Sequence, residues 1–321
     1  MTPIRLDQIE AARSRIAGTA IRTPLIKLEI GANQTEIFLK LENLQPINSF
    51  KLRGAANAIA MLPPQRRAQG VWTVSAGNAG QGLAYAGRRA GVTCIVVAPE
   101  TAPETKIERM RSLGAHVIKV PFDAWWEAME RRAYPGVEGT FVHPFDNDDF
   151  IAGNATIGLE IVEDLPQVET VIAPIGGGGL VTGVASGVRA RKPTVRVFGA
   201  EPETAAPVAL SFATGKASAF PQWQATFVDG AGGKSCFPAM WERMRPIVDG
   251  SIVVSLEEIK RAMRLLAEKS RVIAEGAGAL AVAAALSGKA GTGPIVAVVS
   301  GGNVELSTFC NLIGAGANVK P

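Results

Sequence analysis

The chain has 321 residues, of which 47% are hydrophobic and 19% are charged. This composition is typical of a compact protein with a substantial core and excludes an intrinsically disordered chain. The formal net charge is +4, but the basic residues are scattered in short pairs, and no basic run is interleaved with aromatic residues. The charge pattern therefore gives nucleic-acid binding little support.

The cysteines and the apolar segments indicate the compartment. Cys94, Cys236 and Cys310 are far apart and odd in number, which argues against a zinc site and against a disulfide framework. The N-terminus has no apolar segment of the signal-peptide type. The longest weakly polar stretch, Ala277–Leu286, is shorter than the ~20 residues that cross a bilayer. We therefore expect a cytoplasmic protein that does not enter a membrane.

The first half of the chain alternates helix-like and strand-like patterns. Asp7 and Glu10 have the spacing of an N-cap box, which predicts a helix that ends at about Ile16. Glu36–Glu42 alternates apolar and polar residues as a strand does, and the stretch after Lys51 has the apolar spacing of a helix. Three strands with two intervening helices are predicted next, at Val71–Val74, Asn78–Arg89, Thr93–Ala98, Glu104–Leu113 and His116–Val120.

The second half of the chain repeats this alternation. Pro144 and the acidic residues that follow it are interpreted as a crossing between two units. Strands that alternate with helices form βαβ units, so the fold class is α/β with largely parallel sheets. Strands are predicted at Thr170–Ile175, Val195–Ala200 and Pro294–Val299, and helices at Leu180–Arg191, Leu256–Lys269 and Ala277–Leu286.

Two glycine-rich loops directly follow predicted strands, where ligands bind in parallel sheets. The four glycines from Gly176 to Gly179 precede a helix, so backbone N–H groups and the helix N-terminus can converge on a phosphate. The alternative is a plain turn. The loop lacks the spacing of a dinucleotide fingerprint, and Val228 stands where a P-loop around Lys234 would require glycine. The second loop is Ser300-Gly301-Gly302-Asn303.

Lys51 is the candidate for a covalent link to a cofactor. Most lysines are solvated surface residues, but this one stands between Phe50 and Leu52 at a predicted helix start. A lysine in a partly apolar pocket has a lowered pKa, which favours the free amine that reacts with an aldehyde. Such a lysine together with a phosphate cradle is what pyridoxal 5'-phosphate requires.

Several motifs resemble those of one family. Residues 38–46 (FLKLENLQP) and 49–55 (SFKLRGA) are similar to the cofactor-lysine segment of the threonine/serine dehydratase and serine racemase family. Further motifs follow in that family's order: Ser75-Ala76-Gly77-Asn78, His143-Pro144-Phe145-Asp146, Gly176 to Leu180, and Ser300-Gly301-Gly302-Asn303. The resemblance covers nearly the whole chain. It implies a pyridoxal-phosphate enzyme of fold type II, with two open, twisted, mostly parallel sheets and flanking helices.

The resemblance also implies a role for each motif. Lys51 would hold the cofactor and act as the base at Cα, and Phe50 would pack beside the cofactor ring. Asn78 would hydrogen-bond the ring hydroxyl, and Ser300 would meet the pyridine nitrogen. The phosphate would bind Gly176, Gly177, Gly178, Gly179 and Leu180. The substrate would bind Ser75, Ala76, Gly77, Asn78 and Ala79, with Lys51 and Ser75 as the catalytic residues.

A neutral hydroxyl at the pyridine nitrogen leaves the cofactor a weaker electron sink than a carboxylate would, which favours prompt loss of a β-substituent. The implied activity is a dehydratase that converts a β-hydroxy amino acid, such as threonine or serine, to a 2-oxo acid and ammonia. A β-replacement lyase or synthase, a racemase and a non-catalytic pyridoxal-phosphate carrier remain alternatives. A nicotinamide oxidoreductase is a weaker one, because the dinucleotide fingerprint is missing.

The chain departs from the family pattern at several positions. Racemases of the family have serine where this chain has Ala76, which has no proton to give, so efficient racemisation is not expected. Ala79 replaces a usual histidine and would enlarge or dry the pocket, and Asn154-Ala155 replaces a usual Gln-Gly pair. Trp125-Trp126 is interpreted either as core or as a wall of that pocket. Our hypothesis from these changes is a bulkier substrate such as phenylserine.

The resemblance carries four further expectations. Glu201 matches the first ligand of the family's cation site, but Pro207 stands where a second acidic ligand is usual, so we expect no metal and no strong dependence on divalent cations. The chain ends soon after the last motif, so no regulatory domain is expected. A large domain of residues 1–68 and 148–321 and a small inserted domain of residues 69–147 are predicted, with the cofactor between them. A homodimer is also expected.

Overall fold

The structure is a computed structural model that describes residues 4–31 and 35–314. The strands are β1 (Leu25–Lys27), β2 (Ile37–Lys40), β3 (Val71–Val74), β4 (Cys94–Pro99), β5 (Ala115–Val120), β6 (Thr140–Phe141), β7 (Thr170–Pro174), β8 (Arg196–Pro202), β9 (Gly250–Val254) and β10 (Ile295–Val298). The helices are α1 (Leu6–Ile16), α2 (Lys51–Met61), α3 (Pro64–Ala68), α4 (Asn78–Ala90), α5 (Glu104–Ser112), α6 (Phe122–Arg131), α7 (Asp148–Asp164), α8 (Gly179–Arg191), α9 (Pro207–Thr214), α10 (Pro238–Met244), α11 (Leu256–Leu265), α12 (Gly276–Leu286) and α13 (Leu306–Gly314). In this described part of the chain, none of the helices combines the length and the apolar character that crossing a membrane demands.

The strands form two sheets. The larger has the order β1-β2-β10-β7-β8-β9 and the smaller the order β5-β4-β3-β6. All neighbouring pairs run parallel except β1 and β2, which are antiparallel. In the large sheet, Val296 of β10 pairs with Phe38 of β2 on one side and Val171 of β7 on the other. Two mostly parallel sheets with flanking helices confirm the predicted fold class.

Small residues let the central helices of the large sheet pack closely. α7 lies against α8, and a Cβ atom at Gly187 of α8 would come within 2.1 Å of the Ala155 carbonyl oxygen on α7. A Cβ atom at Gly158 would lie 2.4 Å from the Val184 carbonyl oxygen. Because backbone atoms occupy that space, glycine is needed at both positions. This close packing fixes α8, whose N-terminus carries the glycine-rich loop.

The predicted N-cap of the first helix is wrong. α1 begins at Leu6 with Arg5 as its N-cap, and the Gln8 side chain accepts a hydrogen bond from the Arg5 backbone N–H at 3.0 Å. Asp7 lies in the first turn and pairs with the Arg5 guanidinium at 2.7 Å. The capping box therefore lies two residues earlier than predicted, with Arg5 in the place of Asp7 and Gln8 in the place of Glu10.

Helix α2 packs against elements beside the small sheet and against elements beside the large sheet. Its apolar residues, including Leu52 and Ile59, belong to the core that also contains Leu83 of α4 and Val96 of β4. The same helix packs against α7 on the side of the large sheet. The four strands of the small sheet fall within residues 69–147. Helix α2 lies outside that range but packs against elements of both units. The domain division at residue 68 stays a prediction.

A buried ionic network fixes the start of α2. Arg53 is 1% exposed and donates two hydrogen bonds to Glu42 at 2.8 Å each. It donates two more to Glu160 of α7, at 2.6 and 2.8 Å. The buried Lys40 amine also pairs with Glu160, at 2.6 Å. Because Arg53 lies two residues after Lys51, this network anchors the backbone that carries the candidate lysine.

Candidate active site

The Lys51 side chain is enclosed at the first residue of α2. Its Nζ atom donates a hydrogen bond to the Pro144 carbonyl at 2.6 Å. It lies 5.2 Å from the ring centroid of Phe50 and 5.4 Å from that of Phe150. Burial disfavours the charged form and lowers the pKa of Lys51 from 10.5 to about 8. Near neutral pH a larger share of this amine is therefore unprotonated than of an ordinary lysine, as a nucleophile or base requires.

The turn His143-Pro144-Phe145 brings Lys51 and the glycine-rich loop together. Pro144 supplies the acceptor for Lys51, and a Cβ atom at Gly177 would lie 2.3 Å from the Phe145 ring. The His143 Nδ1 atom accepts a backbone hydrogen bond within the turn at 3.0 Å. Burial lowers the pKa of His143 to about 4, so the ring stays neutral and keeps this acceptor at neutral pH.

The glycine-rich loop has the features of an anion cradle. It lies between β7 and α8, and Gly178 is the N-cap of α8 with a left-handed φ of 91°. Within residues 4–31 and 35–314, no acceptor takes a hydrogen bond from the N–H groups of Gly176, Gly177 or Gly178. The first N–H groups of α8 have no partner inside the helix either. The free donors and the positive end of the helix therefore suit a phosphate.

The Ser75–Asn78 loop is held by its own serine. The Ser75 Oγ atom accepts hydrogen bonds from the backbone N–H groups of Gly77, at 3.1 Å, and Gly80, at 3.0 Å. This places the loop at the N-terminus of α4, where its remaining N–H groups can meet a carboxylate. Ala76 is half-buried in the loop, and Ala79 is buried in the first turn of the helix. Ser75 therefore acts on the loop shape whether or not it also contacts the substrate.

The second glycine-rich loop lies beside both the lysine and Asn78. The backbone N–H of Phe50 donates to the Ser300 carbonyl at 3.0 Å, which joins the lysine segment to this loop. Ser300 is buried, and its hydroxyl donates to the Ala277 carbonyl at 3.5 Å, a distance at the limit of a hydrogen bond. The Asn303 amide donates to Asn78 Oδ1 at 2.7 Å. The predicted motifs therefore converge on one region between the two sheets.

A cavity of about 480 Å³ opens beside this region. Its walls come from both sheet units. Lys106 of α5 forms a salt bridge with Asp229 at 2.5 Å, and the Thr105 hydroxyl donates to Glu305 at 2.7 Å. Both contacts join α5 to parts of the chain outside residues 69–147. Other lining residues include Arg109, Phe227, Glu275 and Asn303.

Comparison with known proteins identifies the family. Residues 16–301 match the family described as "Pyridoxal-phosphate dependent enzyme". The chain belongs to this family. It is 40% identical over 318 residues to L-threonine ammonia-lyase of Thermotoga maritima, covering 98% of this chain and 79% of that protein. It is 38% identical over 326 residues to L-threonine dehydratase catabolic TdcB of Staphylococcus aureus, covering 98% and 94%.

Solved structures agree with this assignment. Maize serine racemase superposes with a TM-score of 0.88 at 32% identity, covering 98% of each chain. The processed form of threonine deaminase isoform 2 from Solanum lycopersicum superposes with a TM-score of 0.85 at 30% identity, covering 98% of this chain and 96% of the other. The resemblance to the threonine/serine dehydratase and serine racemase family is confirmed. So are the cofactor, pyridoxal phosphate, and the expectation of a lyase of dehydratase type.

The residues of this pyridoxal-phosphate enzyme fit its cofactor. Lys51 offers a buried amine, and the N–H groups at Gly176 to Gly178 offer donors to a phosphate. A side chain at Gly177 would fill the cradle, because its Cβ atom would meet the Phe145 ring. The weakly bonded Ser300 hydroxyl is a neutral partner for a ring nitrogen. The roles of the individual residues stay predictions.

Trp125 and Trp126, the two aromatic residues singled out in the sequence, belong to a cluster of rings near the glycine-rich loop. Trp126 of α6 stacks on Phe237 with ring centroids 6.0 Å apart. Phe237 in turn lies 5.1 Å from Phe145. Trp125 packs beside Trp126 at 6.2 Å. The pair thus belongs to an aromatic cluster that reaches the cradle, and a direct contact with substrate stays a prediction.

The carboxylate at the family's cation position has protein partners. Glu201 accepts hydrogen bonds from the backbone N–H groups of Val208, at 2.8 Å, and Ala209, at 2.7 Å, so it caps the N-terminus of α9. The Ser251 hydroxyl donates to it at 2.6 Å. Pro207 begins α9 and offers no side-chain ligand. Among the described residues, no group of three or more histidine, cysteine or acidic side chains could hold a metal ion.

Sequence reasoning missed the charged residues at the cavity. Glu275 and Lys106 were not singled out, although both line the cleft between the sheets. Glu275 did leave a signal, because it is the one charged residue in the otherwise uncharged stretch 272–288. A lone carboxylate in an apolar, small-residue segment is buried and needs partners. Lys106 stands in an ordinary charged helix, and its sequence context carries no comparable signal.

Proposed function

We propose that this protein is an ammonia-lyase that removes water and ammonia from L-threonine or L-serine and releases the corresponding 2-oxo acid. The observation that carries the proposal is the buried amine of Lys51, which the Pro144–Phe145 turn joins to an anion cradle. The relatives from Thermotoga maritima and Staphylococcus aureus are both named for L-threonine, which supports a small aliphatic β-hydroxy amino acid.

The residues would divide the work as follows. When bound, pyridoxal phosphate supplies an electron sink that weakens the Cα–H bond of an amino acid. Lys51 holds the cofactor and then takes the Cα proton, a task that its lowered pKa permits near neutral pH. The Ser75–Asn78 loop and the N-terminus of α4 orient the substrate carboxylate. The neutral Ser300 hydroxyl would meet the pyridine nitrogen and would leave the bound cofactor a weaker electron sink than a carboxylate would, which favours loss of the β-hydroxyl.

A racemase is the second candidate, because the maize structure with a similar fold is a serine racemase. Racemisation needs a proton donor on the face opposite the lysine. The family's racemases have serine there, and this chain has Ala76. The Ser75 hydroxyl one residue earlier is engaged with the backbone of its own loop. These contacts favour elimination, and we expect D-serine formation from L-serine to stay well below 2-oxo acid formation.

The bulkier aryl substrate suggested by Ala79 has no support from the relatives. Both curated relatives are named for threonine, whose β-substituent is a methyl group. Ala79 is buried within α4. Phenylserine therefore enters the proposal only as a comparison substrate, and we expect threonine to be turned over faster.

The experiment combines a substrate panel with a lysine variant. The purified protein is incubated with L-threonine, L-serine, hydroxyaspartate and phenylserine, and 2-oxo acid and ammonia are measured. Lys51→Ala should lower the threonine rate by about a thousandfold, because it removes the base. The control Lys27→Ala changes an exposed lysine and should leave the rate unchanged.

Borohydride reduction gives a test that does not depend on turnover. Treating the native protein should fix the cofactor on the peptide that contains Lys51, which mass spectrometry would locate. Labelling of another lysine, or no labelling, would refute the assignment. A panel in which a β-replacement product or D-serine exceeds 2-oxo acid would refute the reaction.

A further inference from the structure

Glu275 is a buried carboxylate between two of the predicted motifs. It is 5% exposed and forms the N-cap of α12. Its backbone N–H donates to the Gly301 carbonyl at 3.1 Å. A Cβ atom at Gly301 would lie 2.4 Å from Glu275 Oε1, so the second glycine-rich loop has room for the carboxylate only because it has glycine there. The Glu275 backbone is therefore bonded to this loop, and its carboxylate lies directly against Gly301.

The hydrogen bonds around Glu275 fix the orientation of the Asn78 side chain. Asn303 Nδ2 donates to the Ile47 carbonyl at 2.9 Å and to Asn78 Oδ1 at 2.7 Å, which uses both of its N–H hydrogens. Asn78 Nδ2 donates to Glu275 Oε1 at 2.7 Å. The amide oxygen of Asn78 is thus committed to Asn303. Of its two N–H hydrogens, one goes to Glu275 and one is left.

The reverse orientation of Asn78 is disfavoured at both ends. An ionised carboxylate accepts hydrogen bonds and donates none. Turning the amide would place Asn78 Oδ1 against Glu275 Oε1 and its NH₂ group against that of Asn303. Two favourable contacts would become two repulsive ones. An amide in place of Glu275 could adapt to either orientation, so the carboxylate is what selects one of them.

We propose that Glu275 is a positioning residue, which orients the Asn78 amide so that one N–H donor remains directed to the cofactor. This inference rests on the assignment of Asn78 to the cofactor's ring hydroxyl. Glu275 does not need to contact cofactor or substrate. It acts through Asn78, across 197 positions of the chain, and so links α4 beside the small sheet to the 300–303 loop of the large one.

Two charged groups and two uncharged hydrogen-bond donors surround the Glu275 carboxyl group. The pKa of Glu275 is raised to about 7, mainly by burial and in part by the neighbouring Asp229 carboxylate. Lys106 of α5 opposes this, as do the hydrogen bonds from Asn78 and from the Asn303 backbone. Since a neutral carboxyl is a weaker acceptor than a carboxylate, its hold on Asn78 should strengthen as pH rises through about 7. Cofactor affinity should rise with it.

The test measures cofactor affinity of the full-length holoenzyme. Wild type and variants are dialysed against graded concentrations of pyridoxal phosphate, and bound cofactor is quantified by absorbance. Asn78→Ala and Glu275→Ala should each weaken binding by about tenfold, which corresponds to about one hydrogen bond. The double variant should bind no more weakly than Asn78→Ala, because Glu275 acts through that amide. The control Glu257→Gln changes an exposed residue and should match wild type.

Glu275→Gln provides a second reading with the side-chain shape preserved. In wild type the affinity for the cofactor should rise as pH rises through about 7, because Glu275 ionises there. Glutamine does not ionise, so this part of the rise should be missing from Glu275→Gln. Wild-type affinity in Glu275→Ala, or effects that multiply to about a hundredfold in the double variant, would overturn the inference. An Asn78→Ala variant that binds like wild type would instead refute the cofactor role of Asn78 itself.

Discussion

Replacing Glu201 by glutamine tests how a buried carboxyl group couples the stability of this fold to pH. Glu201 is 1% exposed. Burial raises its pKa from 4.5 to about 7, although hydrogen bonds from Ser251, Val208 and Ala209 act in the opposite direction. The unfolded chain loses this proton near pH 4.5 and the folded protein near pH 7. Between these values the folded state binds more protons, so stability falls as pH rises through that window.

The magnitude follows from the two pKa values. The difference between 4.5 and about 7 corresponds to about 3 kcal/mol of stability, present below pH 4.5 and lost above pH 7. Glutamine does not titrate and removes this dependence. The amide nitrogen of glutamine cannot accept a hydrogen bond, so Val208 or Ala209 would face a donor in place of an acceptor, and Glu201→Gln should cost about 1–3 kcal/mol at about pH 5. Between about pH 5 and about pH 8 the deficit should shrink by up to about 3 kcal/mol.

Urea unfolding of the two holoenzymes at several pH values from about 5 to about 8, with saturating cofactor, measures this difference. Other titrating groups, including Glu275, contribute equally to both proteins and cancel. Glu257→Gln is the matched control, because that exposed side chain should give one small difference at every pH. A free-energy difference between wild type and Glu201→Gln that is the same at both ends of this pH range would refute the reasoning.

Three further predictions concern the cradle, the buried ions and metals. Gly177→Ala should weaken cofactor binding by at least about tenfold, because its Cβ atom would collide with a neighbouring ring; unchanged affinity in dialysis would contradict this. Arg53→Ala should cost about 3–5 kcal/mol in urea unfolding, since Glu42 and Glu160 would be left buried without their partner, and a loss below about 1 kcal/mol would argue against the network. EDTA should leave the threonine rate unchanged, because Glu201 already caps a helix, and a marked fall in the rate would show the metal expectation to be wrong.

Much of the strand and helix pattern was predictable because it is local. The predicted strand at residues 71–74 matches β3, and the predicted helix at 78–89 differs from α4 by one residue. α7 was missed for a physical reason. Residues 150–161 of this helix are all buried, so its sequence lacks the alternation between an apolar and a polar face that marks a surface helix. Long-range pairing, such as β10 between β2 and β7, carries no local signal either.

The residues of the candidate site also differ in whether the local sequence predicts them. Lys51 and the glycines of residues 176–179 were predictable, because a reactive lysine and a phosphate loop are each encoded in a short segment. Glu275 and Lys106 were not, since their importance comes from partners that are distant in sequence. Glu275 pairs with Asn78, 197 positions away, and Lys106 with Asp229, 123 positions away. Such contacts arise only when the two sheets come together.

Comparing the buried carboxyl groups of Glu201 and Glu275 distinguishes effects on stability from effects on cofactor binding. Burial raises the pKa of both Glu201 and Glu275 to about 7, so both should make the protein less stable as pH rises from 4.5 to 7. Their partners differ. Glu201 bonds to α9 and Ser251, away from the cleft, whereas Glu275 bonds to Asn78 and lines the cavity. The pH dependence of cofactor binding should therefore change in Glu275→Gln and not in Glu201→Gln, while the pH dependence of unfolding changes in both. A cofactor-binding profile altered equally by both substitutions would mean that global stability, and not the Asn78 amide, controls the site.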